Sequence, residues 1–497
     1  MRSKRKYEDI GPTQRNLRRK LGREALAAIG VPASALCDPK PTPAAMLALT
    51  TAERRKVRTV DSMEIVSENK MTECKLTLAT THGTRTAPFS FPRAGEQENA
   101  AVGAYVCDPL RLLLAVAAQS PFLCVGGDKG GGFTKLGVTY RSHQRQHFLP
   151  LLVFEGDDHY DDLEALRKPD VTKFEGSSEP HKTIYDVLQF IITEYKAFLN
   201  GDWPFISCML QHKGHAADYP CPICIVEKEK LFSAAAYRRP VDGNSLHPVH
   251  DAFLSIPPER IVPTPLHLYL GINNRIIFNA FKELIGEKQL LALIKGVKSK
   301  HSAGCGGLSD LYQLNGPEIA RFIRQGRAKE VIAIGQALES IGKADEQHIH
   351  KMAEWMEKLH TYLLHSNVWT AVELYKFRAL LDEMYGKWKK VTGDHVFPKL
   401  HMLRHAVEFA ERYHILGAAS ESQIESFHFH FNSLYHTQHR NMSHKPFERM
   451  RRCLADAVVS LVAHVPAIDL AQASSALLLL RIAKPATRQA QNDMCID

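Results

Sequence analysis

The stretch Pro121-Phe-Leu-Cys-Val-Gly-Gly-Asp128-Lys-Gly-Gly-Gly132-Phe-Thr-Lys-Leu-Gly-Val-Thr-Tyr140 decides the fold. An apolar run ends on a single aspartate in a glycine-rich turn, and a second run with Phe133, Leu136, Val138 and Tyr140 leaves it, which predicts a β-hairpin. Asp128 is then a carboxylate at a strand end, flanked by residues without side chains, so that an anionic ligand or another backbone can come close. The plainer reading is a hairpin whose tip holds an Asp for turn geometry. Lys129 among glycines also suggests a phosphate cradle, but the GxxxxGK[ST] order is missing and no helix follows, which argues against a P-loop.

Outward from the hairpin, Ala101 to Gln119 reads as an apolar helix and His147-Phe-Leu-Pro-Leu-Leu-Val-Phe154 as a third strand, closed by the acidic turn Asp157-Asp158. Lys182 to about Tyr195 reads as a helix with Ile184, Val187, Leu188, Ile191 and Ile192 on one side. Lys196 to Gly201 is a short strand that leads to Asp202, a second strand-end carboxylate. From 226 to 400 the periodicity is helical, over 274–297, 317–340, 345–366 and 369–389. The expected class is α/β, a sheet interrupted by a large, mainly helical insertion.

The chain has 497 residues, 44% of them hydrophobic, enough for a large core. A net charge of +9 and a pI near 8.9 favour a polyanionic partner without deciding between nucleic acid and acidic protein. Ten scattered cysteines do not form a secreted disulfide framework, so a reducing compartment is expected. Lys4-Arg5-Lys6 and Arg18-Arg19-Lys20 have the spacing of a bipartite nuclear signal or of a phosphate-tracking arm; a solvated helix face is the plain alternative. No apolar run is long enough to span a bilayer, so no membrane segment is expected.

Cys221-Pro-Ile-Cys224 supplies half of a tetrahedral zinc site, and His401-Met-Leu-Arg-His405, with two histidines on one helical face, supplies the other half. A redox pair is the rival for CxxC, but the surrounding βαβ pattern is missing. No HExxH glutamate is present for a zincin protease. Further on, Ser420 reads as the N-cap of a helix, with Gln423 completing a capping box. Glu421, Glu425, His428 and Asn432 share one stripe of that helix, beside the apolar Ile424, Phe427 and Phe431. An exposed acidic face would explain the stripe as well. The basic run from His436 to Arg452 suits a phosphate backbone.

Asp128, Asp202, Cys221/Cys224, His401/His405 and Glu425, in that order, resemble the catalytic core of the Transib transposases and the V(D)J recombinase catalytic subunit. Pro265-Leu-His267-Leu-Tyr-Leu-Gly271 is also similar to a family segment at the start of the insertion helices. The likeness covers about 120–455, in islands. It implies a ribonuclease-H-like mixed sheet interrupted by a zinc-binding helical insertion, and a DDE-type transposase or a domesticated relative that acts on double-stranded DNA in the nucleus as a homodimer. The alternative is an inactive domesticated DNA- or chromatin-binding protein. The implied catalytic ligands of two Mg²⁺ or Mn²⁺ ions are Asp128, shared by both, with Asp202 and Glu425 holding one each and Glu421 one turn away as the fallback. The implied ligands of one structural Zn are Cys221, Cys224, His401 and His405. The HxxxH spacing is one residue tighter than the recombinase's, which keeps His212 and His215 as alternative ligands, and Tyr269 stands where the recombinase has an acidic residue. Lys129, Arg440, Lys445 and Arg449 are the candidate phosphate contacts. The implied division is a basic arm and linker (1–60), a small accessory module (61–118), the first part of the core (119–225), the helical insertion (226–400), the second part of the core (401–465) and a C-terminal tail (466–497).

Overall fold

The computed structural model describes residues 84–92, 100–117, 120–142, 145–156, 160–167, 183–214, 217–231, 252–298, 313–393 and 395–462. The N-terminal basic clusters, the Asp157-Asp158 turn, His215 and the C-terminal tail lie outside them. The architecture is mixed α/β, built on one six-stranded sheet. Its strands are β1 (Thr86–Pro92), β2 (Ala100–Val106), β3 (Leu123–Gly130), β4 (Phe133–Ser142), β5 (Arg145–Glu155) and β6 (Phe198–Gly201), in spatial order β1-β2-β5-β4-β3-β6. All neighbours are antiparallel except β3 and β6.

The hairpin forms because Gly131 and Gly132, both at positive φ, supply the two-residue turn that matches strand twist. β3, β4 and β5 are buried at nearly every position rather than at alternate ones, since helices cover the sheet. Those helices are α1 (Pro109–Ala117), α3 (Ile184–Glu194), α13 (Ser422–Ser433) and α14 (Pro446–Val462); α14 lies across β1, β2 and β5. A short α2 (Tyr160–Ala165) follows β5, and α4 (Trp203–Met209) follows β6. α3 begins with a capping box between Thr183 and Asp186 and buries the apolar side read from its sequence.

One expectation gives way here. Ala101–Val106 is strand, not the start of a helix, because a continuous apolar run carries no period that separates a buried strand from a buried helix. Within 61–118, the described strands β1 and β2 join the sheet through the pairing of β2 with β5.

From Pro265 to α13 the described residues are mainly helical. α5 (Pro265–Arg275) runs through a π-helical stretch, Ile276–Phe281, into α6 (Lys282–Ile285); α7 (Glu287–Lys295), α8 (Gly316–Arg324) and α9 (Arg327–Ala337) follow. Gly286 and Gly326, at φ 79° and 63°, break what the periodicity reads as two long helices. α10 (Lys343–Leu363) and α11 (Ala371–Thr392) pack together through the buried Trp355 and Trp388, whose rings stack at 6.0 Å. α12 (Pro398–Tyr413) then returns to the sheet, where Phe409 and Tyr413 meet Phe198 of β6. No helix among the described residues is long and apolar enough to cross a membrane.

Candidate metal centres

α12 starts at Pro398, which occupies the first turn, where its missing N–H is not needed. His401 and His405 follow one turn apart, both about 1% exposed. Against them lies the turn after α4, and Cys224 Sγ is 3.2 Å from His401 Nε2 and 3.3 Å from His405 Nε2. With Cys221 the ligand atoms all lie within 4.8 Å of one another, and all four residues are buried. A tetrahedral zinc with bonds of about 2.0–2.3 Å needs ligand atoms about 3.3–3.8 Å apart, so a small contraction would close the site. The outer nitrogens are already oriented: His401 Nδ1 lies 3.0 Å from the Leu231 carbonyl and His405 Nδ1 3.1 Å from Glu408 Oε2. Both thiols are unoxidised. Burial pushes the Cys221 thiol up, while the hydrogen bond from Cys221 and those from the two histidines hold Cys224 down. Two thiolates with a divalent ion would make a neutral unit, which is what a fully buried site requires. The buried Cys₂His₂ cluster can therefore hold a metal ion such as zinc. His212 is not part of it, since Nε2 faces the Tyr219 carbonyl at 2.9 Å and Nδ1 takes the Gly214 N–H at 2.9 Å.

The second cluster lies at one end of the sheet. Gly127 of β3 pairs in parallel register with Gly201 of β6, so Asp128 and Asp202 are each the next residue along adjacent strands, Asp128 two residues before the end of β3 and Asp202 just past the end of β6. α13 is fastened beside them. Buried Asn200 of β6 donates to the Ala419 carbonyl at 3.1 Å, and Gln146 of β5 donates to the Ala418 carbonyl, which fixes the turn before the helix. Gly130 and Gly131 admit the helix itself: a Cβ on Gly130 would lie 2.4 Å from the His428 ring, and one on Gly131 would meet Asn432. The glycines read as room for a ligand thus seat α13, and only Gly132 opens onto free space. His428 Nε2 lies 3.0 Å from Asp128 Oδ2, and Asp128, Glu425 and His428 form a second group of potential ligands within 4.8 Å.

Asp202 stands outside that group. Its Oδ1 accepts the Phe205 N–H at 2.8 Å and caps α4. Glu421 is buried and accepts both the backbone N–H and the Nδ1–H of His267 at 2.9 Å, while His267 Nε2 is 3.7 Å from Glu425 Oε1. The capping box expected at Ser420 and Gln423 does not form; Ser420 Oγ donates to Glu421 instead, and α13 starts at Ser422. Burial pushes the Glu425 carboxyl up, as does the Asp128 charge beside it. Burial and the Lys135 charge push His428 down to about 4, so it stands neutral, and burial brings Lys135 down to about 7 against the pull of Asp128 and Glu425.

Sequence reading missed His428 as a neighbour of Asp128, Lys135 behind both, and Lys399, whose charge reaches Asp202 and Glu421. Lys135 was within reach through the hairpin register that pairs it with Asp128 and His428 through the stripe it shares with Glu425, whereas Lys399 arrives only by tertiary packing. Of the four candidate phosphate contacts, Lys129, Arg440 and Lys445 are exposed. Arg449 is engaged: its guanidinium lies 3.7 Å from the Tyr435 ring centroid and donates to the Tyr435 carbonyl. Comparison of the chain with protein-family models and with curated proteins finds no match.

Proposed function

We propose that the chain is a DDE-type DNA transposase or recombinase, or a domesticated relative, that cuts and joins double-stranded DNA at the Asp128 site. One observation carries the reading: two aspartates side by side on parallel strands, Asp128 near the end of β3 and Asp202 just past β6, with a helix returning from a long insertion to bring Glu425 within 4.8 Å of the first. The β3-β4-β5 antiparallel meander with β6 parallel to β3 supports a ribonuclease-H-like core, and the Cys₂His₂ cluster at the base of the insertion supports the family pattern.

The donor set suits hard divalent cations, since carboxylate oxygens from Asp128 and Glu425 converge, with Asp202 on the next strand. Asp128 would be the shared ligand, with Asp202 and Glu425 holding one ion each. Bound Mg²⁺ or Mn²⁺ would supply activation of water or of a DNA 3′-hydroxyl and charge relief at the leaving oxygen. The chain's own part is positional. Asn200 and the Gly130-Gly131 seat hold α13 against the strand ends, and Glu421 holds His267 beside Glu425. Lys129, Arg440 and Lys445 offer charge to the phosphate backbone. Action in the nucleus as a homodimer belongs to the same reading.

The test is nicking of DNA carrying candidate transposon ends in Mg²⁺ or Mn²⁺. Asp128→Asn, Asp202→Asn and Glu425→Gln should each abolish it and be about as damaging singly as together, because ligands of one metal pair act as a unit. Glu421→Gln should retain activity above the three. Equal activity in all variants would remove the carboxylate mechanism. No cutting by wild type with DNA binding intact would leave a non-cutting DNA- or chromatin-binding protein, the reading favoured by Asp202's engagement as a helix cap.

A further inference from the structure

Lys135 is fully buried near the start of β4, directly opposite Asp128 in the β3/β4 register. A lysine is almost never wholly buried unless its charge is matched. Here Nζ donates to the carbonyls of Gly130 at 2.6 Å and Phe133 at 3.0 Å, spanning the two ends of the glycine turn. It lies 5.7 Å from the ring centroids of both Phe133 and Phe431, the latter on α13. Two carbonyl acceptors, two ring neighbours and the nearby Asp128 and Glu425 all favour an ammonium over an amine. Two carboxylates within ligand distance of each other repel, and a positive charge held close by relieves that repulsion.

We propose that Lys135 is the resident cation of the acidic cluster: its buried ammonium, held behind the strand end by the turn carbonyls, lets Asp128 and Glu425 sit together without a metal ion and thereby lowers the cluster's affinity for divalent cations. The inference rests on the cluster being a divalent-cation site. Lys135 acts through Asp128 and Glu425, as a positioning residue. It makes the site one that fills only when a second source of binding energy, such as the phosphates of a bound nucleic acid, is added.

The experiment is Mn²⁺ titration of the full chain, followed by electron paramagnetic resonance. Wild type, Lys135→Met and Asp128→Asn are compared, with Lys135→Gln as a second charge-removing variant that keeps a donor for the turn. Loss of one positive charge beside a divalent ion should lower the Mn²⁺ Kd about tenfold in both lysine variants. Adding Asp128→Asn to Lys135→Met should reverse the gain. A residue that only braces the hairpin would, when replaced, leave the Kd unchanged or raise it, and either result in a folded lysine variant overturns the inference, as does tightening that survives Asp128→Asn. Mn²⁺ binding that is the same in wild type and Asp128→Asn would instead remove the metal-site reading itself, and this inference with it.

Discussion

Replacing Cys224 by Ser tests whether the Cys₂His₂ cluster holds the protein together. Cys224 Sγ lies 3.2 Å from His401 Nε2 and 3.3 Å from His405 Nε2, so this one ligand touches both imidazoles. A metal there joins residue 224 to residue 401 and closes a loop of about 180 residues. Treated as a cross-link, such a loop removes roughly 5 kcal/mol of chain entropy from the unfolded state at 25 °C. That is a third or more of the stability of an ordinary domain. The serine hydroxyl is a poor ligand at neutral pH and would leave two buried imidazoles facing it, so the full contribution should be lost. Purified wild type should carry about one zinc per chain by elemental analysis, and Cys224→Ser much less. The melting temperature should fall by roughly 5 °C, and strong chelators should bring wild type to the same value. His212→Ala is the control: both ring nitrogens of His212 serve the backbone, so zinc content should not change. Wild type without zinc, or Cys224→Ser with an unchanged melt, would refute the reasoning.

Two further outcomes are expected from the sheet and its helices. Gly130→Ala puts a methyl 2.4 Å from the His428 ring, so α13 must shift off the strand end; this should cost about 1–3 kcal/mol in denaturant unfolding, and a ΔΔG near zero would show that the seat is loose. The Glu448 carboxyl is held down to about 2 by hydrogen bonds from Arg451 and Arg452, in the first turn of α14. A depressed carboxylate contributes stability that is present above its ordinary value near 4.5 and is lost as pH falls through about 2. Glu448→Gln should therefore destabilise by up to about 1 kcal/mol at pH 7 and by progressively less below pH 4, a convergence to be read from paired melts. Curves that stay parallel across that range would discount the ion pairs.

What could be read from the sequence is what local chemistry encodes. The Gly131-Gly132 hairpin, the capped start of α3, the short β6 and the Pro398 start of α12 each carry their signal within a few residues. The i, i+4 histidines face one way because a helix makes them, and the CxxC pair meets them because α12 returns to the base of the insertion. β2 was illegible for the opposite reason, since a strand buried on both sides has no alternation to show. The capping box at Ser420 failed because Glu421 is drawn to His267, 154 positions away, a competition no window of sequence contains. Lys135 faces Asp128 across the hairpin, but its meaning depends on Phe431 and Glu425 arriving from the far side of the insertion.

The meeting of α12 with the turn after α4 also bears on how the acidic cluster assembles. Asp202 and Glu425 are 223 positions apart, yet Cys221 lies 19 positions after the first and His405 lies 20 positions before the second. Once the cysteines and histidines are joined, the chain path between the carboxylates shortens to about 40 residues, which lowers the closure cost of bringing them together by about 1.5 kcal/mol. The order of folding events should then run from the pin to the sheet end rather than the reverse. The length of the chain between 225 and 400 also drops out of the problem: the helices there can gain or lose residues while the strand ends still see a short loop, closed at its neck.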